Sequence, residues 1–151
     1  MADRVKVHGL KELERDLRAL GQHTTAKGVA RRVLKKAGKP MADRARALAP
    51  DDPSTGGDDL KASIGVSTKL NKRQRSITRK GGKSNVEVYI GTNDPAGIQQ
   101  EYGNVNHGPQ SFMRPAWATE KITALKMITE DMKGEILKTA ARLAKKAAKA
   151  K

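Results

Sequence analysis

The chain has 151 residues, and its 31 basic and 16 acidic residues give a formal net charge of +15. This length predicts one domain with a core rather than two domains. The sequence contains no cysteine, which excludes disulfides and thiolate zinc sites. Aromatic residues make up only 3% of the chain. We therefore expect a thin core that is dominated by helix packing.

The N-terminal third predicts a short strand and two helices. Residues 5–7 read as the strand, and leucines at 10, 13, 17 and 20 share one face of a helix that ends at Gly21. A second helix is predicted from Thr24 or Thr25 to Leu48, with Pro40 as a kink and Pro50 as the stop. Its predicted inward face comprises Val29 or Ala30, Val33, Leu34, Ala37, Met41, Ala45 and Leu48.

The middle of the chain predicts a hairpin. Residues 51–59 form a loop, and strands are expected at residues 64–68 and 86–90, the latter from its alternating Val86, Val88 and Ile90. These strands pair around residues 69–83, a basic segment expected to be a solvated, mobile loop.

A long C-terminal helix follows Pro115, with Ala118, Ile122, Leu125, Met132, Ile136, Ala140, Leu143 and Ala147 on one face. The predicted class is α+β: a small antiparallel sheet with a long basic hairpin loop, packed against two N-terminal helices and the long C-terminal helix. Residues 1–137 form one domain, and residues 138–151 are a basic helix end or tail. No signal-peptide region and no membrane-spanning apolar run is evident, which predicts a soluble chain without membrane contact.

The positive charge is concentrated in two segments. Residues 69–83 carry seven basic residues and residues 138–151 carry six, with no acid in either segment. Without these thirteen basic residues, the rest of the chain has 18 basic and 16 acidic residues and is therefore nearly neutral. Two interpretations remain open: solvated surface, or non-specific contact with a phosphate backbone. The candidate DNA-facing residues are Lys72, Arg73, Arg75, Arg79, Lys80, Lys138, Arg142, Lys145, Lys146 and Lys149.

Catalytic and metal-binding patterns do not emerge from the sequence. The three histidines, His8, His23 and His107, have no partner at metal-ligand spacing. The aspartates of residues 51–59 lack the spacing of a calcium loop. Neither glycine pair follows a strand and opens a helix, as a phosphate-binding loop requires. We therefore predict a non-enzyme without a cofactor or metal.

Residues 99–117 hold one of the two tyrosines, the only phenylalanine and the only tryptophan. This segment is also rich in glycine, asparagine and proline, which excludes a regular helix or strand over much of it. Trp117 is expected in the core at the start of the last helix. Tyr102, Phe112 and Met113 fall in irregular backbone, where ordered loops often carry function.

The order of these motifs resembles the tail-completion, or head-to-tail joining, proteins of long-tailed bacteriophages of the Hong Kong lambdoid type. The matching stretches are "GLKELERDLRALG", "RALAPDDPSTGGDDLKASI", "VYIGT", "QQEYGN" and "QSFMRPAW". An acid–aromatic–glycine turn, here Glu101, Tyr102 and Gly103, precedes a P-F-x-R-P-A segment in which Ser111 replaces the first proline.

The resemblance implies a virion subunit of the neck or tail that assembles in the host cytoplasm. The implied assembly is a homo-hexameric ring between the head-closure protein and the tail terminator or tail tube, with passing DNA touched through phosphates. The aromatics would anchor a rigid loop to the last helix at an interface. The implied interface residues are Glu101, Tyr102, Gly103, Phe112, Met113, Arg114, Pro115 and Trp117.

Two other classes compete with this assignment. A free, histone-like protein that binds nucleic acid without sequence specificity agrees with the net charge, although such a protein should spread its basic residues over the folded surface. A toxin or nuclease component would depend on His107 alone.

Overall fold

A computed structural model describes residues 23–50, 59–78 and 85–149. In chain order its elements are α1 (His23–Ala37), α2 (Lys39–Leu48), α3 (Asp59–Ser63), β1 (Ile64–Ser67), α4 (Lys72–Ile77), β2 (Tyr89–Thr92), α5 (Ala96–Tyr102) and α6 (Met113–Lys149). The α+β prediction is confirmed. The strand at 5–7, the helix carrying the four leucines and residues 51–58 of the predicted loop lie outside the described residues.

The predicted kinked helix is two helices joined at Gly38. Pro40 lies in the first turn of α2, where its missing N–H costs no internal hydrogen bond. The backbone nevertheless stays continuous, because Gly38 N donates to Leu34 O at 3.0 Å and Ala42 N donates to Gly38 O at 3.1 Å. A Cβ at Gly38 would lie 3.2 Å from side-chain atoms of Ile90 and Val66. Glycine therefore lets this joint approach the sheet closely.

The hairpin is present, with a shorter ladder than predicted. β1 and β2 pair antiparallel, with Ile64 opposite Thr92 and Ser67 opposite Tyr89. Residues 85–88 are outside the ladder, so the strand predicted from Val86 begins three residues later.

The segment between the strands is not a loop throughout. Residues 72–77 form α4, which Asn71 caps: its side chain accepts from Gln74 N at 2.7 Å, and the Gln74 side chain accepts from Asn71 N at 3.1 Å. This reciprocal capping box stabilises a short helix in a segment where charge alone predicted mobility. Arg79 and Lys80 lie outside the described residues.

Two apolar clusters hold the helices together, and both contain α6. The first lies between α2, the sheet and the start of α6, and comprises Ala42, Ala45, Ala49, Leu60, Ile64, Phe112 and Ala116. The second joins α1 to the middle of α6 through Val29, Val33, Met132 and Ile136. Small side chains and few aromatics make up these clusters, as the composition predicted.

Two ion pairs at the edge of the second cluster show the relative direction of α1 and α6. Arg32 pairs with Glu135 at 2.8 Å, and Lys36 pairs with Asp131 at 2.8 Å. Residues later in α1 therefore pair with residues earlier in α6, so the two helices are antiparallel.

The prediction that Trp117 is a core residue is wrong. Trp117 is 59% exposed, whereas Phe112 is 0% exposed. Phe112 and Ala116 are four residues apart and face the sheet and α2 together, while Trp117 is rotated by about 100° from Ala116 around α6. The large aromatic of the core is thus the phenylalanine just before α6.

The predicted inward face of the C-terminal helix is only partly correct. Met132 and Ile136 are buried, but Ala118, Ile122 and Ala140 are exposed. The buried face changes along α6, because its start packs on α2 and the sheet and its middle packs on α1. The basic C-terminal segment, expected to be a helix end or tail, is helical as far as Lys149. Within the described residues, no helix has the length and apolarity to cross a membrane.

Candidate assembly interface at the Glu101 loop

A sharp reversal of the chain follows α5 at Gly103. Gly103 has φ 79° and ψ 173°, a combination that residues with a Cβ rarely adopt. A Cβ there would lie 2.9 Å from Pro109 N and 3.1 Å from His107 O. Glycine is therefore required both by the backbone conformation and by the close approach of residues 107–109.

Residues 103–111, which we name the Glu101 loop, are held by hydrogen bonds within the loop and to α5. Gly103 N donates to Gln99 O at 2.7 Å, and Gln110 N donates to Gln100 O at 2.7 Å. The Asn104 side chain accepts from the backbone N–H groups of residues 106 and 107, at 2.8 and 3.0 Å. These bonds close the loop onto the end of α5 and give it a defined shape.

The Glu101 carboxylate connects the end of α5 to the start of α6. Its Oε2 accepts from Phe112 N and Met113 N, both at 2.8 Å, and its Oε1 accepts from Arg114 N at 3.1 Å. Phe112 directly precedes α6, and Met113 and Arg114 are its first two residues, so the helix offers no internal acceptor for these N–H groups. Glu101 is 5% exposed. A buried side chain from eleven residues upstream therefore caps the longest helix of the fold.

Arg114 covers the outer side of this cap. Its Nε donates to Glu101 Oε1 at 2.9 Å, and its Nη2 donates to Glu101 O at 2.7 Å and to Ser111 Oγ at 2.6 Å. The guanidinium also lies 5.1 Å from the centroid of the Tyr102 ring, within cation–π distance. Arg114 thus fixes Tyr102, Ser111 and the carboxylate in one arrangement.

The ionisation of Glu101 follows from these contacts. Burial on its own raises the pKa of the carboxyl, but the hydrogen bonds donated by Met113, Phe112 and Arg114 outweigh burial, and the pKa lies below its ordinary value. The side chain is therefore an anion at neutral pH, the form that accepts all four of these hydrogen bonds.

The amino-acid sequence matches the profile of one known protein family. The sequence profile of a family described as "Bacteriophage HK97-gp10, putative tail-component" matches residues 11–103, more than half of the chain. The chain belongs to this phage tail-component family. No curated protein and no solved structure matches the chain.

Membership in the tail-component family confirms the resemblance seen in the sequence and indicates a structural protein of the phage virion. The match ends at Gly103, so it includes Glu101 and Tyr102 but not the segment that Glu101 caps. The contacts from Glu101 to residues 112–114 connect the matched region to the start of α6.

The predicted interface residues of this family member fall into two groups. Tyr102 is 68% exposed and Trp117 is 59% exposed, and Arg114 is exposed as well. Glu101 and Phe112 are buried, while Gly103, Met113 and Pro115 are partly buried. The first group offers its exposed side chains to a partner, and Glu101 of the second group holds Arg114 through hydrogen bonds. Their role at an interface remains a prediction.

Sequence reasoning missed several residues of this site. Ser111 was noted only as a replacement for proline, yet its hydroxyl accepts from Arg114 and donates to Glu101 O. Ile98 and Val105 were not considered, although they are 61% and 100% exposed. The signal for Ile98 was available, since it lies four residues before Tyr102 on the same helical face.

The predicted DNA-facing residues that the structure describes lie on two helices. Lys72, Arg73 and Arg75 are exposed on α4. On α6, exposed basic side chains recur at spacings of four, three and four residues, which places them on one helical face. We name this set, Lys138, Arg142, Lys145 and Lys149, the basic stripe; Lys146 is exposed beside it.

The described residues contain no group of three or more His, Cys, Asp or Glu side chains arranged to hold a metal ion. His107 sits in the turn of the Glu101 loop, where its Nδ1 lies 2.9 Å from Gly108 O. Its surroundings are those of a turn residue.

Proposed function

We propose that the chain is the tail-completion, or head-to-tail joining, subunit of the phage neck. In this proposal it forms a ring, a homo-hexamer, that connects the head-closure protein to the tail terminator or tail tube. It assembles in the host cytoplasm, acts in the virion and carries out no catalysis. Family membership supports the virion and tail part of this proposal.

The observation that carries the joining role is the Glu101 cap. A buried carboxylate accepts four hydrogen bonds from residues 112–114 and thereby fixes the end of α5 and the Glu101 loop, which carry exposed Tyr102 and Val105. Exposed apolar side chains on rigid backbone are typical of protein contact surfaces, because little conformational entropy is lost on binding. The Arg–Tyr pair on the same surface belongs to residue types enriched at binding hot spots.

The basic stripe fits a ring through which the genome passes. Its four cations extend over about 16 Å of helix, at a rise of 1.5 Å per residue. They are exposed and have no interleaved aromatic side chain to stack on bases. Such a surface binds phosphates weakly and without sequence preference, which lets DNA move past it.

Complementation of a phage genome that lacks the gene tests the joining role. Tyr102→Ala and Arg114→Ala should fold, as circular dichroism will show, but should lower incorporation into particles and leave unjoined heads and tails in electron micrographs. Lys126→Ala, an exposed substitution in the middle of α6, serves as the control and should complement fully. Normal joining with both interface variants contradicts the proposal.

A free DNA-binding protein is the second candidate, and the exposed basic stripe is the observation that favours it. The two candidates differ in where the protein resides. A neck subunit remains with purified virions at high salt, whereas a histone-like protein dissociates from them and co-purifies with DNA at low salt.

A further inference from the structure

Two apolar features of the described surface have no residue in common. The first, which we name the knob, consists of Ile98, Tyr102 and Val105 at the end of α5 and in the Glu101 loop, with exposed fractions of 61%, 68% and 100%. The second, which we name the groove, lies between the α1–α2 joint, residues 86–90 and α6. Its apolar lining includes Leu34, Met41, Ile90, Trp117, Ile122 and Leu125.

Both features are electrically neutral on a chain of charge +15. Residues 95–111 contain one charged side chain, Glu101, and that carboxylate is buried against the Arg114 guanidinium. The described lining of the groove contains one acid, Glu87, and one base, Lys121. The net charge of +15 makes copies of this chain repel each other, so a contact between two copies is favoured where neither surface adds to that repulsion. Neutral surfaces also give no electrostatic attraction to DNA.

The groove has room for the apolar side chains of the knob. The groove has a volume of about 720 Å³, within the range of sites that enclose small ligands and large enough for several apolar side chains. The Glu101 cap and Gly103 hold the knob in a fixed conformation. Insertion of the knob would cover apolar surface on both sides without ordering a flexible segment.

We propose that the knob of one copy of this chain inserts into the groove of the next copy. The contact joins two different surfaces of identical subunits, so it is heterologous and generates a ring when the rotation between subunits closes. This inference names the subunit contact of the ring and rests on the proposed function for the existence of that ring.

Cysteine pairs test the contact directly, because the chain has no cysteine of its own. The double variant Val105→Cys/Ile122→Cys is oxidised at high protein concentration and run on a non-reducing gel. We expect a ladder of disulfide-linked multimers that ends at the closed ring. Each single variant should run as a monomer on this gel, because a knob does not contact another knob and a groove does not contact another groove.

Three gel outcomes overturn the contact. A double variant that remains monomeric shows that the knob does not enter the groove of another copy. Dimers from Val105→Cys alone show that knob meets knob. Dimers from Ile122→Cys alone show that groove meets groove.

A mixing experiment then tests whether the contact is heterologous. Val105→Asp removes the apolar knob and Ile122→Asp introduces charge into the groove, so each should abolish multimers in sedimentation velocity. Their equimolar mixture should form dimers, because one intact knob and one intact groove remain between the two variants. Ala62→Asp, on the exposed side of α3, should leave multimers intact. A mixture that stays monomeric contradicts the heterologous contact.

The contact and the neck function fail in different ways. If the double variant gives a disulfide ladder and Val105→Asp still joins heads to tails normally, the subunit contact exists but has no role in the neck. If the double variant stays monomeric and Tyr102→Ala fails to join heads to tails, the neck role is supported and the knob-in-groove contact is contradicted.

Discussion

Replacement of Glu101 by glutamine tests the connection between α5 and α6 with almost no change in side-chain size. The carboxylate accepts hydrogen bonds from the backbone N–H groups of residues 112–114 and from the Arg114 guanidinium. Glutamine offers one acceptor oxygen and turns its amide N–H₂ toward the remaining donors. At least one buried backbone donor at the start of α6 therefore loses its partner.

The size of the effect follows from the burial of these groups. The loss of a helix cap costs about 0.5–2 kcal/mol, and a hydrogen bond to a charged group contributes about 1.5–3 kcal/mol. The Arg114 side chain is 59% exposed. Water screens its ion pair with Glu101, and we count at most about 1 kcal/mol for it. We expect Glu101→Gln to lower the free energy of unfolding by about 2–3 kcal/mol, equivalent to about 5–10 °C in Tm.

Thermal and urea denaturation followed by circular dichroism measure this difference. Glu130→Gln is the matched control, since it removes the same charge from an exposed position on α6. The pH dependence adds a second test. Because the folded-state pKa of Glu101 is lowered, its contribution is fully present above the ordinary pKa of 4.5 and is lost as the pH falls through the folded-state pKa. Equal Tm values for Glu101→Gln and the control at pH 7 would refute the cap.

Three further predictions concern the same region and the basic stripe. Phe112→Ala should cost about 3–5 kcal/mol and Trp117→Ala less than about 1 kcal/mol, as urea denaturation will show; the reverse order would contradict the assigned core. Gly103→Ala should lower stability by about 1–3 kcal/mol through backbone strain in the same measurement, and an unchanged midpoint would contradict the turn geometry. Replacing the four cations of the basic stripe by glutamine should reduce the slope of log affinity for DNA against log salt by about 3–4. A fourfold glutamine control at exposed Arg31, Lys35, Lys39 and Arg44 removes equal charge and should change the slope less.

The periodic parts of the fold were predictable from local patterns. Val29, Val33 and Met41 fall at helical spacing and are buried. The alternation before Gly91 and the turn-rich segment after Ser67 indicated the antiparallel hairpin that the structure contains. These features depend on neighbours close in sequence, which a pattern records directly.

The parts that failed depend on contacts between distant segments. Phe112 and Trp117 both stand at the start of α6, and only the direction from which α2 and the sheet approach decides which ring is buried. The acid–aromatic–glycine turn identified Glu101 as notable, but its acceptor role depends on the position of Phe112, eleven residues later and directly before α6. The mobile loop after β1 was predicted from charge alone, and that prediction ignored the capping box formed by Asn71 and Gln74.

An electron cryo-microscopy map of purified particles tests the central claim most directly. We expect a ring at the junction of head and tail, in which the 37-residue helix α6 of each subunit is recognisable and the knob of one subunit contacts the groove of the next. A map in which the chain is missing from the particle, or is located only at the far end of the tail, would contradict the claim.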